Sequence, residues 1–356
     1  MSNVDTHRLK ICFVGSYGHY HTVIEAMHKS PMLYEVLGVC PSSPEEDMEP
    51  LKKELSGLGY HFNHLAKSPA SKGRVGGGLN LLTEYENYEK MIQLEKPDIV
   101  VVCGQFHLNS EISYYALQKD IHVFCEKPLS ITWEGLNKIG ESIKVSKAKI
   151  SSMLTARYEP WFYAAFQAVR RGDVGTVRLL QVQKSYKLGV RPSFYNQRSL
   201  YGGTMLWVGI HAIDLIQWLS GEMYQSVSAL HSAKDNFDHG ELEMIATAQY
   251  AMSNDVIASV CCDYYRPNAA STHGDDRVRI VGTKGIIEVS NEKVFRLDEE
   301  GSIELPQEEK LNIFEDFLQY VRGSVPARLT MAESLSSTKA ALMALDSADF
   351  DSIVKG

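Results

Sequence analysis

The sequence has no apolar run near the roughly 18 residues needed to span a bilayer. It also lacks a basic block. Lys and Arg number 36 against 44 Asp and Glu, a formal net charge of −8, so neither nucleic acid nor an anionic membrane is an expected partner. Six cysteines (Cys12, Cys40, Cys103, Cys125, Cys261, Cys262) show no C-x-x-C spacing. Most sit in or beside apolar runs and read as small buried hydrophobes rather than disulfides or metal ligands. Met1 to Lys10 is polar, without the apolar core and cleavage site of a secretory signal, so a cytoplasmic protein is expected. There is no internal repeat and no low-complexity tract. Apolar residues at 44% and charged residues at 22% exclude a disordered chain. At roughly 150 residues per domain, 356 residues correspond to about two domains.

The first third alternates strands with helices. Leu9 to Val14 is a short β-branched run that stops at Gly15, as a buried parallel strand does. A helix over His21–Ser30 and a strand over Tyr34–Cys40 follow. Pro41 to Leu82 is harder to read; it holds a helix candidate, Glu45–Leu55, and a Gly-rich loop, Lys72–Gly78, expected to be mobile. Helices over Tyr85–Lys96 and Asn109–Lys119 then alternate with strands over Ile99–Cys103 and Ile121–Cys125. This order predicts right-handed βαβ units and a doubly wound parallel sheet. Ligands in such sheets collect at the carboxyl ends of the strands. That places Gly15-Ser16-Tyr17-Gly18, Gly104-Gln105-Phe106 and Glu126-Lys127-Pro128 around one expected crevice, with Asn109 a further cofactor-binding candidate.

Beyond residue 150 the texture changes. Helices are expected over Ala156–Arg171 and Thr204–Leu219. Strands are expected over Val177–Tyr186, Ser226–His231, Ile245–Tyr250, Val256–Tyr264, Val278–Val281 and Ile286–Val289. Strands linked by Gly, Asn and Asp turns indicate an α+β domain with an open, mostly antiparallel sheet. Helices over Glu315–Arg322 and Ala332–Ala348 close the chain. The expected division is 1–128 and 129–356, with the terminal helices free to pack back on the first domain.

The string His122-Val123-Phe124-Cys125-Glu126-Lys127-Pro128-Leu129-Ser130 resembles the E-K-P motif of the Gfo/Idh/MocA oxidoreductases, the group of glucose–fructose oxidoreductase and inositol dehydrogenase. Other stretches are similar in the right order. They are Pro97 to Val102, Arg157-Tyr158-Glu159-Pro160, Tyr201-Gly202-Gly203-Thr204, Gly209-Ile210-His211-Ala212-Ile213-Asp214, Trp218 to Gly221, Asp275 to Ile280 and Gly282 to Gly285. The resemblance covers nearly the whole chain. It implies an N-terminal Rossmann domain, a sheet domain used for assembly as a homodimer or homotetramer, and NAD(P)-dependent oxidation or reduction of a sugar or polyol.

Hydride transfer from a carbinol needs a base for the hydroxyl proton and a positive charge beside the developing alkoxide. Lys127 follows a buried strand and precedes a proline, so its ammonium is expected to be partly desolvated. By resemblance it would bond the reacting hydroxyl and the nicotinamide ribose. His211 and Asp214, at i and i+3 on one helix, can share a face; His211 would move the proton and Asp214 would orient it or accept a substrate hydroxyl. Arg157 and Tyr158 are the leading substrate-lining candidates, with Tyr264, Tyr265, Arg266 and His273 behind them. Arg277 and Asp276 read equally well as a structural ion pair. No metal site is expected: His19 with His21, and His61 with His64, lack a third ligand.

Three positions depart from the family pattern. In G-x-G-x-x-G read from Gly15, the second and third glycines are Tyr17 and Tyr20, with only Gly18 nearby. The ribose-binding acid at the end of the second strand is replaced by Pro41-Ser42-Ser43. Ser42 is the candidate there, and the adjacent Glu45-Glu46-Asp47 would repel a 2′-phosphate, so NAD is favoured while NADP stays open. An Asp usual four residues before the histidine is Trp207, which could instead stack on a sugar ring. These losses keep two rival readings in play: a non-catalytic dinucleotide- or sugar-binding regulator, as the family's galactose regulon repressor is, and a glycosidase using transient NAD-dependent oxidation.

Overall fold

The structure is a computed structural model that describes residues 8–62, 80–323 and 327–356. The Gly-rich loop Lys72–Gly78 and His64 lie outside the described residues. In chain order the first elements are β1 (Leu9–Val14), α1 (His21–Lys29), β2 (Tyr34–Cys40), α2 (Glu49–Gly57), β3 (Tyr60–Phe62), β4 (Asn80–Glu84) and α3 (Tyr88–Glu95). Next are β5 (Ile99–Val102), α4 (Asn109–Leu117), β6 (His122–Cys125), α5 (Trp133–Val145) and β7 (Ile150–Ser152). Then follow α6 (Pro160–Arg171), β8 (Val177–Tyr186), α7 (Arg198–Tyr201) and α8 (Ile210–Ser220). Strands β9 (Tyr224–Ser232), β10 (Ile245–Met252), β11 (Ile257–Asp263), β12 (Gly274–Gly282), β13 (Ile286–Ser290), β14 (Lys293–Asp298) and β15 (Gly301–Glu304) come next. Last are α9 (Ile313–Val321), α10 (Met331–Phe350) and β16 (Val354–Lys355).

Two compact units result. The first comprises Met1–Ser130, Glu134–Met153 and Asn312–Met331, so its first stretch ends two residues past the expected boundary and two later segments belong with it. The reason is strand pairing: β7 adds to β6 in parallel and extends the first sheet. That sheet has seven strands in the order β3-β4-β2-β1-β5-β6-β7, parallel throughout. The order reverses on either side of β1, which makes the carboxyl ends of β1, β2 and β5 the switch point. Helix α2 starts at Glu49, not Glu45, because Pro50 favours the first helical turn and Glu46 is tied elsewhere. Helix α3 starts at Tyr88, where the Asn87 side chain accepts the Lys90 N–H at 2.8 Å.

The second unit comprises Ile131–Trp133, Leu154–Leu311 and Ala332–Gly356. Its nine-stranded sheet runs β15-β14-β13-β12-β8-β11-β10-β9-β16 and is antiparallel apart from the β8–β11 pair. Strand alternation sets its two faces: Leu180, Val182 and Lys184 are buried, whereas Gln181 and Gln183 point to the open side. Helix α8 is buried from Ile210 to Leu219, and its Trp218 stacks on Phe166 of α6 at 4.3 Å. The helix expected over Thr204–Leu219 opens with a π-turn, Met205–Gly209. Of the cysteines, Cys261 is exposed and the other five are buried. Among the described residues no helix is long and apolar enough to cross a membrane, and no cluster of His, Cys, Asp or Glu could hold a metal.

Candidate active site

In the first unit, Gly15 closes β1 with φ +85°, and a Cβ there would sit 2.3 Å from the Cys103 carbonyl oxygen. Gly18 follows at φ +73°, where a Cβ would fall 2.0 Å from Glu126 Oε2. Both glycines are thus demanded by close approach, which moves the second such position from residue 17 to residue 18. Tyr17 is half-buried, and burial, then Glu46, Asp47 and Glu45, push its phenol up. The loop between these glycines is bound on both sides by carboxylates. Ser16 donates its N–H to Glu46 Oε1 at 2.7 Å, and His19 donates its N–H to Glu126 Oε2 at 2.5 Å.

The E-K-P segment ends β6. Glu126 is fully buried; burial pushes its carboxyl up, but His19 and Lys127 outweigh this and hold it below the ordinary carboxyl range. Its Oε1 also accepts the Lys127 N–H at 3.0 Å, and His19 Nδ1 lies 3.0 Å from both oxygens. Asn109, expected to touch cofactor, commits its amide to the Glu126 and Pro128 carbonyls at 3.1 Å each. The Lys127 side chain is itself buried, and the Lys127–Pro128 peptide is cis. Ser42 donates its N–H and its hydroxyl to Glu46 Oε2, both at 2.6 Å, and Gly104 packs against the Ser42 Cβ. Gly15, Ser16, Ser42, Gly104, Glu126 and Lys127 therefore gather at the carboxyl ends of the parallel strands. The Gly15–Gly18 cradle has room only for hydrogen at its close approaches, and Ser16, Ser42 and Glu46 supply hydroxyls and an acceptor. That set suits a dinucleotide.

In the second unit the substrate candidates divide. Arg157 and Asp214 are both fully buried and paired: Nε and Nη2 donate to the two carboxylate oxygens at 2.7 Å each. Glu333 accepts from Arg157 Nη1 at 2.6 Å, and Ser337 donates to Asp214 at 2.7 Å. The guanidinium pKa is raised, because Asp214 and Glu333 together outweigh burial. Arg157 and Asp214 are thus occupied by one another. His211 is buried on α8, one turn before Asp214, and Trp207 is buried in the π-turn with its ring edge-on to Tyr195 at 6.0 Å. Tyr158 is buried beside Arg157 in the chain. Tyr264 bonds the Tyr201 hydroxyl at 3.0 Å, whereas Tyr265 is exposed and its hydroxyl donates to the Lys234 carbonyl. Arg266 and His273 help line a cavity of about 500 Å³ with Trp161, Asp275 and Asp276. Arg277 pairs with Asp275 rather than with Asp276, which is held by the buried Lys184.

Two sequence models match this chain: an oxidoreductase-family NAD-binding Rossmann fold over residues 65–153, and the GFO/IDH/MocA C-terminal domain over residues 162–288. Together they cover more than half of its length. The chain belongs to the Gfo/Idh/MocA oxidoreductase family. A presumed oxidoreductase from Thermotoga maritima, of solved structure, is 42% identical, with a TM-score of 0.89, and the match covers 98% of this chain and 100% of that one. Myo-inositol 2-dehydrogenase of Thermotoga maritima is 27% identical over 221 residues, 61% of this chain and 64% of that protein. Inositol 2-dehydrogenase of Rhizobium meliloti is 26% identical over 206 residues, 56% of this chain and 59% of that protein. The chain thus spans about three-fifths of the length of these curated relatives.

The Gfo/Idh/MocA resemblance pointed to Lys127, His211 and Asp214, but three other groups were not singled out. Glu46 stands out in the sequence only within the helix candidate Glu45–Leu55 and the Glu45-Glu46-Asp47 charge that opposes a 2′-phosphate. His19 was considered only for metal. Lys184 carries a signal that was available: it is a lysine at an inward position of an alternating strand, after Leu180 and Val182.

Proposed function

We propose that this protein is an NAD-dependent oxidoreductase acting at a carbinol or carbonyl carbon of a cyclitol, sugar or sugar derivative. The observation that carries the reading is Lys127, 2% exposed at the carboxyl end of β6, in a segment fixed by Glu126 and Asn109. A buried ammonium at that position is suited to a substrate oxygen that gains negative charge. Bound NAD supplies a nicotinamide that takes up or returns the hydride. Gly15, Ser16, Gly18, Ser42 and Gly104 would hold the dinucleotide. Lys127 Nζ would hold the reacting oxygen and stabilise the alkoxide, while the His211 imidazole would take or return the hydroxyl proton. Asp214 would be a positioning residue, holding α8 through Arg157 and Ser337. Trp207 and Tyr158 would offer aromatic surface to a sugar ring. A cytoplasmic homodimer or homotetramer completes the reading.

The test begins with calorimetric titration of the protein with NADH and NADPH. It continues with NAD reduction across cyclitols, inositol first because two of the relatives act on it by name, and sugars. Lys127→Met is expected to keep the wild-type melting temperature and to lower kcat at least about a thousandfold. Turnover that survives this change, or a protein that binds neither dinucleotide, would overturn the proposal.

A further inference from the structure

We infer that Glu46 reads the adenosine ribose of the cofactor and makes this protein selective for NAD over NADP, an inference that rests on the NAD-dependent reading above. Strand β2 ends without an acid, in Cys40-Pro41-Ser42-Ser43. The chain then turns back within Pro41–Asp47 and returns a carboxylate to the same place. Glu46, 7% exposed, accepts the Ser16 N–H from the end of β1 at 2.7 Å and the Ser42 N–H from the end of β2 at 2.6 Å. A carboxylate bridging the ends of these two strands stands where nucleotide riboses lie in doubly wound sheets.

The pattern of its bonds matters as much as its place. Two are backbone N–H bonds, which fix each oxygen. The other two come from hydroxyls that rotate. Ser16 Oγ is 3.3 Å from Glu46 but 2.7 Å from the Asp47 carbonyl, and it has one proton to give. Ser42 Oγ also accepts the Gln105 N–H at 3.0 Å. Turning these hydroxyls frees a lone pair on each Glu46 oxygen for the 2′- and 3′-hydroxyls of a ribose while the backbone bonds stay in place. A 2′-phosphate would instead set its own charge against Glu46, with Glu45 and Asp47 adjacent in the chain. Among the described residues no lysine or arginine is paired with Glu46. Burial pushes the Glu46 carboxyl up, against the bonds from Ser42 and Ser16 that pull it down, so solvent would do little to screen a second anion.

Calorimetric titration of wild type and Glu46→Gln with NADH and NADPH tests this, with the melting temperature of each as a control. Wild type is expected to bind NADH about a hundredfold tighter than NADPH, and Glu46→Gln is expected to shrink that ratio at least about tenfold. A second measurement needs no variant: wild type should bind 2′-deoxy-ADP-ribose about tenfold more weakly than ADP-ribose. An NADH/NADPH ratio unchanged by Glu46→Gln, or equal binding of the two ADP-riboses, overturns the assignment to Glu46 alone. If no form binds NADH, NADPH or ADP-ribose, the dehydrogenase reading and this inference fall together.

Discussion

Arg157 and Asp214 are 57 residues apart in sequence and make a two-bond ion pair with no exposure to solvent. Removing one member of such a pair leaves a buried charge without compensation, which costs about 3–5 kcal/mol. Arg157→Met is therefore expected to lower unfolding stability by that amount in urea, and Arg157→Met with Asp214→Leu to recover part of it. A single variant within about 1 kcal/mol of wild type would show that Ser337 alone suffices for Asp214. At this scale the sequence exposes residue types and not partners. Arg157 and Asp214 both look like substrate ligands because each carries a charge near a family motif. What occupies them is a residue far along the chain, and no spacing rule brings 157 to 214. The same holds for Glu46 with Ser16 and for His19 with Glu126. Lys127 and His211 stand out in the sequence because a short local motif carries each of them, and their roles are those proposed above.

Secondary structure was most legible where one force dominates. Strands β1, β2 and β8 follow from β-branched runs or strict alternation, and their bounds agree with the sequence reading residue for residue. Strands β3 and β4 have three and five residues, too few for periodicity to register. The π-turn before α8 is not legible in the sequence because, over five residues, apolar positions cannot separate it from an α-helix. Helix α9 shows how far an element can travel to find its core. Asn312 caps it, accepting the Phe314 and Glu315 N–H groups. Its Phe314 and Phe317 then pack on Phe124 of β6 at 5.1 and 5.3 Å, and Phe314 meets Tyr34 of β2 at 6.0 Å. The Phe314 side chain is fully buried. Phe314→Ala should cost about 3–5 kcal/mol in the first unit, read as a lower urea midpoint and melting temperature. A loss below about 1 kcal/mol would mean that α9 adds little to that core.

For the whole molecule, the open face of the nine-stranded sheet sets the main constraint. Cross-strand register aligns Ile257, Leu179, Val281, Ile286 and Leu297 in one apolar row across β11, β8, β12, β13 and β14. Ile257 is 55% exposed and Leu297 44%, so the row meets solvent in a single chain. Contiguous apolar surface of this kind marks a protein interface more often than a free face. The net charge of −8 works against association in general, which favours a specific, patterned contact over non-specific aggregation. Light scattering is therefore expected to give a mass of two or four times the 39.9 kDa chain. Ile257→Glu places a charge at the most exposed end of the row and should shift the mass toward a single chain, with the melting temperature of each unit's core little changed. A wild type that scatters at 39.9 kDa would remove the sheet face as an assembly surface. A multimer that persists in Ile257→Glu would place the interface elsewhere on the chain.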